Sequence, residues 1–106
     1  MAKYMLEVSY TAEGARGLLE KGGSARKSVV QTMAKKMGGK LDAFYFAFGG
    51  TDVYALVDLP DNEAAAAVAL TVAASGAATI RTVVLLTPEE IDAAGQQQVA
   101  YRPPGG

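Results

Sequence analysis

Between Lys40 and Pro60 the chain reads KLDAFYFAFGGTDVYALVDLP. Two strand-like runs, residues 41–48 and 51–59, flank Gly49-Gly50 and predict a β-hairpin whose glycines supply positive φ in a tight turn. A strand with one wet face alternates. These runs are apolar or aromatic at nearly every position, so the hairpin is expected to be covered on both sides. The remaining elements follow from the same pattern. In residues 3–10, Tyr4, Leu6, Val8 and Tyr10 alternate with Lys3, Met5, Glu7 and Ser9, which predicts a first strand. Thr11 is placed to cap a helix that runs to Lys21 and ends at Gly22-Gly23. Ser24 is expected to cap a second helix over residues 25–37. Its apolar stripe is Ala25, Val29, Met33 and Met37, with the basic face Arg26, Lys27, Lys35 and Lys36 outside it, and Gly38-Gly39 end it. Pro60 stops the hairpin's second strand, Asp61 caps an Ala-rich helix, and Gly76 closes that helix. Residues 78–86 read as a fourth strand. Thr87-Pro88-Glu89-Glu90 carries the N-cap, Pro and Glu spacing of a helix start, and that helix ends near Gly95. Residues 99–102 are expected to form a brief extended segment in the tail.

The order β-α-β-β-α-β predicts an α+β, ferredoxin-like sandwich with strands in the order 4-1-3-2, a short C-terminal helix and an extended tail. One domain is expected over residues 1–98, with a tail at 99–106. The crossovers are long enough for parallel neighbours, and both helices then pack on one face. Leu6, Val8, the row Phe44/Phe46/Phe48, Val53/Ala55/Val57 and Ile80/Val84 are assigned to that face. The other face carries Met5, Glu7 and Ser9; Ala43, Tyr45 and Ala47; Asp52, Tyr54 and Leu56; and Thr79, Arg81, Val83 and Leu85. A one-residue slip exchanges the sets, but either set is too apolar to stay wet. Two sheets packed face to face into a dimeric α/β barrel around a central cavity would cover it, with the tail reaching the neighbouring subunit.

Composition narrows the chemistry. The chain has 106 residues, 50% of them hydrophobic, and a formal net charge of −1, so disorder and a global attraction to nucleic acid are not expected. It has no Cys and no His. That removes disulfides, thiol nucleophiles, imidazole bases and soft-metal sites, and leaves carboxylates, Lys and Tyr for any proton chemistry. No metal site and no cofactor are expected. The start MAKYMLEVSY lacks a basic segment followed by an apolar one, and the Ala-rich run is too short and too polar for a membrane span. A cytoplasmic location without membrane contact is therefore expected. Charge is segregated. Arg16, Lys21, Arg26, Lys27, Lys35, Lys36 and Lys40 are opposed within their stretch by Glu20 alone. That pattern reads as a solvated basic face, an anion site or a contact between subunits.

The segments MAKYMLEVSYTAEGARGLLEKGGSAR, AFYFAFGGTDVYALVDLPDN and VLLTPEEIDAA resemble the GYD-domain family, bacterial proteins named for a Gly-Tyr-Asp motif. The resemblance extends over residues 1–103 and implies a ferredoxin-like fold of the dimeric α/β-barrel type, without a biochemical activity. The motif carries over as Gly50 and Asp52, with Thr51 where the family has Tyr.

Tyr45, Asp52, Tyr54, Arg81 and Glu7 are the candidate ligand-binding residues, gathered on the face without helices. Asp52 either accepts backbone hydrogen bonds or satisfies Arg81, or else serves beside Tyr45 and Tyr54 as a carboxylate of raised pKa. Glu7 and Arg81, on neighbouring strands, are expected to pair. Lys21-Gly22-Gly23-Ser24-Ala25-Arg26 resembles an anion-holding turn but has Gly23 where a P-loop needs Lys, so linker plus N-cap is its plainer reading. Basic and aromatic residues are not interleaved on the central strands, so no nucleic-acid partner is expected. The function expected is a homo-oligomeric module that binds a small organic ligand or simply assembles. The alternative is a cofactor-independent enzyme acting on a small organic substrate, with Asp52 and Tyr54 or Tyr45 in its cavity.

Overall fold

The computed structural model describes residues 1–106 as β1 (Ala2–Tyr10), α1 (Ala12–Lys21), α2 (Gly23–Lys36), β2 (Lys40–Phe46), β3 (Val53–Leu59), α3 (Asn62–Ala74), β4 (Ala78–Leu85) and α4 (Pro88–Gly95). The four strands form one sheet in the order β2-β3-β1-β4, which is the expected 4-1-3-2 read from the other edge. Every neighbouring pair is antiparallel, although the crossovers are long enough to have allowed parallel ones. Each crossover instead skips over one strand, which is the split βαβ arrangement. The chain is thus an α+β protein with ferredoxin-like topology.

The register fixes the two faces. Tyr4 pairs with Val57 and Val84, Leu6 with Ala55 and Thr82, and Val8 with Val53 and Ile80. These residues lie on the side of α2 and α3, and all but Thr82 and Val84, which stay exposed, belong to or pack against a small core. Tyr4, Leu6, Val53, Ala55, Val57 and Leu59 of the sheet are buried with Ala34 of α2 and with Ala65 and Val68 of α3. The Tyr4 hydroxyl reaches the Asn62 side-chain oxygen at 2.6 Å, so its polar end is satisfied. The small side chains of α3 let it lie close to the sheet. Gly39 permits another close approach, since a Cβ there would stand 1.8 Å from the Asp58 carbonyl oxygen.

Several boundaries differ from the sequence reading. Gly22, not Ser24, starts α2. The Gly22 amide closes α1 by donating to the Leu18 carbonyl at 2.7 Å, and its own carbonyl accepts from the Arg26 amide at 3.3 Å. With φ of 90°, Gly22 both ends one helix and begins the next. The hairpin turn is also wider than Gly49-Gly50. Residues 47–52 form the loop, and of the two glycines only Gly49 has positive φ. The cause is the Asp52 amide, which donates to Val8 of β1 at 2.8 Å. Phe48 consequently lies in the loop, fully exposed, and not in the row facing the helices. Phe44 and Phe46 do share that face, edge to face at 5.2 Å. A bulge between Leu41 and Ala43 makes this possible, because it turns both Leu41 and Phe44 toward the helices. Residues 99–102 form no strand.

The chain exposes 7376 Å². A monomeric protein of 11.0 kDa is expected to expose about 5,600 Å². Its radius of gyration is 16.9 Å, against about 13 Å for a compact domain of this length. The helix α4 and the tail project from the body without substantial packing against it, and Leu86, Ile91, Val99 and Tyr101 are exposed along this arm.

Candidate functional site

No helix covers the second face of the sheet. Cross-strand pairing arranges it in rows. One row runs Tyr45–Tyr54–Glu7–Arg81, and the next runs Ala43–Leu56–Met5–Val83. Four of the five candidate residues therefore stand side by side. Tyr45, on the edge strand β2, is 71% exposed, and Tyr54, on the interior strand β3, is 41% exposed. Glu7 and Arg81 are direct cross-strand partners, yet neither forms an ion pair within the chain.

Asp52 stands apart from that row, beyond the start of β3. Its carboxylate accepts the Tyr10 backbone amide at 2.8 Å and does not bond Arg81. One residue pair away, the Ser9 hydroxyl donates to the Gly50 carbonyl at 3.0 Å. Gly50 and Asp52 thus tie the hairpin loop to the end of β1. The intervening Thr51 side chain makes no hydrogen bond in this tie.

A charged cluster ends the same face. Lys3 bridges Asp42 and Asp58, the latter at 2.8 Å, and Lys40 lies 3.7 Å from Asp42 and 4.0 Å from Asp58. Strict alternation would send Asp42 toward the helices, and the bulge beside it turns it to Lys3 instead. The bulge was the missing information. The hydrogen bond from Lys3 holds the Asp42 carboxyl below the ordinary Asp value, with Lys40 adding to the effect. Hydrogen bonds to Asp42 and Asp58 raise Lys3. A depressed carboxyl pKa stabilises the fold above its unfolded value, and that contribution disappears as pH falls through the lower folded value. The raised Lys3 has the opposite sense: its contribution is complete below the unfolded value and disappears as pH rises through the folded one. Urea midpoints measured from pH 5 down to pH 2 should therefore fall more steeply for the native chain than for Asp42→Asn. Equal slopes would remove Asp42 from the acid response.

A cavity of about 660 Å³ lies on the opposite, helix-bearing side. Its floor includes Leu6, Val8, Val53 and Ala55, with α1 and α2 on one side and α3 on the other. Tyr10, Lys21 and Arg26 also line it. Burial raises the Tyr10 phenol above its ordinary value, the adjacent Arg26 guanidinium opposes this, and Asp52 adds to the rise. The sequence reading put its cavity on the other face. No hydrophobic pattern signals this one: α1 lines it partly with Gly14 and Gly17, which add no side chain, and α3 with Val68, Thr71 and Val72. No group of three or more acidic side chains converges as a metal cage would require. No helix is long and apolar enough to cross a membrane.

The fold places this chain among α+β proteins with ferredoxin-like topology, in which helices cover one side of an antiparallel sheet. A family model, the GYD domain, matches residues 4–94, and the chain belongs to that family. No curated protein and no solved structure matches it.

Proposed function

We propose that this chain is a self-associating module in which two copies pair through the faces that carry no helix, as a dimeric α/β barrel does. The observation that carries this reading is the composition of the uncovered face. Its central row, Ala43–Leu56–Met5–Val83, is wholly apolar, and the flanking row holds Glu7 and Arg81 without an ion-pair partner in their own chain. A twofold pairing brings a patch onto itself, so Glu7 of one copy can meet Arg81 of the other. The area is also adequate. The surface in excess of a compact monomer is about 1,800 Å², and a stable interface needs about 800 Å² from each partner. The projecting arm supplies part of that excess, and its Ile91, Val99 and Tyr101 would lie against the partner.

Light scattering coupled to gel filtration should give about twice the 11.0 kDa chain mass at micromolar concentration. A single species at the chain mass under those conditions would defeat the reading.

A further inference from the structure

We infer that the helix-side cavity is a binding site for an amphipathic carboxylate, a medium-length alkyl chain with one carboxylate head. This rests on the cavity alone and not on the pairing of chains, since it lies across the sheet from the proposed interface. Its volume, about 660 Å³, falls within the range of small-molecule sites. Nothing in the chain fills it. The helices α2 and α3 flank it with little packing on one another, and Gly17 of α1 leaves open space in its wall. Val29 on the apolar stripe of α2 is 54% exposed although it lines this space, and Met33, Phe44, Val72 and Ile80 around it are only partly buried. Apolar surface left against water forgoes roughly 25 cal/mol per Å², so an alkyl chain that covers these side chains gains what the fold does not.

The polar groups of the lining choose the head group. Arg26 and Lys21 are both in the lining, and neither is engaged in an ion pair. Glu13 is the one acid in the lining, and the nearby Asp52 carboxylate already accepts the Tyr10 backbone amide, so the two cations of the lining outnumber its acid. Arg26 stands beside the Tyr10 hydroxyl. A guanidinium fork next to a phenol donor matches a planar carboxylate, which accepts two parallel N–H bonds and a third from O–H. An ammonium head would meet repulsion, and an alcohol offers a single uncharged acceptor oxygen where the fork can bind two charged ones.

Calorimetric titration with decanoate, 1-decanol and decyltrimethylammonium tests this. Decanoate should bind saturably at one per chain, with the alcohol at least tenfold weaker and the ammonium weaker again. Arg26→Met should weaken decanoate at least tenfold and leave the alcohol unchanged. Val72→Phe, which fills the cavity from α3, should abolish binding of all three. Ala25→Phe serves the same purpose from the exposed start of α2 should the first variant unfold. Absence of saturable decanoate binding up to millimolar concentration overturns the proposal, including the case in which a partner's arm occupies the space. Equal affinity for the three heads, or decanoate binding unaltered by both Arg26→Met and a folded filling variant, overturns it as well.

Discussion

Leu59→Ala is expected to lower the unfolding free energy by about 2–5 kcal/mol, toward the upper part of that range. Leu59 is completely buried at the end of β3, in one cluster with Tyr4, Val57, Ala34 and Ala65. The loss has two parts, the transfer of the removed atoms and the cavity that remains. Collapse of that cavity is limited because two of the neighbours are already alanines on helices, with no longer side chain to lean in. The core is also small: ten of 106 residues are buried. A domain of ordinary stability has about 5–15 kcal/mol in total, so one such substitution removes a large share of it. The thermal midpoint should drop by roughly 10 °C or more. Leu19→Ala is the control, since Leu19 is 86% exposed on α1 and its loss should stay within about 0.5 kcal/mol. Both variants and the native chain must be melted at one concentration, because self-association makes the midpoint concentration-dependent. Indistinguishable midpoints for Leu59→Ala and Leu19→Ala would mean that the cluster around Tyr4 is not the core.

The sequence made the strand order and both faces readable, for one physical reason. Period-two alternation in Tyr4, Leu6 and Val8 is unambiguous, and antiparallel pairing passes that phase to β3 and β4. The capped helices were equally plain. Thr11, Asp61 and Thr87 each accept a backbone amide as their spacing predicts. What stayed hidden depends on backbone contacts between distant segments. The Val8 carbonyl and the Tyr10 amide take the backbone and side chain of Asp52, which widens the hairpin loop and leaves Phe48 in solvent. The Asp42 bulge has no signature in a run as apolar as LDAFYF, so the Lys3 cluster could not be anticipated. Gly22 displaced Ser24 as the start of α2 because it also ends α1, and propensity at a single position carries no such double duty. Of the proposed site, the row Tyr45, Tyr54, Glu7 and Arg81 followed from alternation once the strands were known. Asp52 fell outside it because its carboxylate is used to hold the loop. The cavity over the other face escaped because it depends on how far apart the helices sit, and a pattern of apolar residues does not distinguish a closed core from an open one.

Leu56→Asp is expected to abolish self-association and leave the chain folded. Leu56 sits at the centre of the uncovered face, opposite Met5 on β1 and Ala43 on β2, and is partly exposed in the single chain. In a monomer the new carboxylate stays at a wet surface, so the cost is confined to a strand preference of at most about 1 kcal/mol. In a twofold dimer the patch meets itself, so the substitution places two carboxylates in one apolar interface. Each loses hydration without a partner, at several kcal/mol, and they repel one another. Since about 1.4 kcal/mol is a factor of ten in affinity, the dissociation constant should rise by at least about a thousandfold. Light scattering should then report the 11.0 kDa chain for Leu56→Asp, twice that for the native protein, and the native value for Gln31→Asp on the exposed face of α2. Far-UV circular dichroism should be unchanged in both variants. Because Leu56 lies across the sheet from the helix-side cavity, decanoate titration of Leu56→Asp separates the two proposals. A monomer that still binds decanoate keeps both, and a folded Leu56→Asp variant that remains a dimer places the interface elsewhere on the molecule.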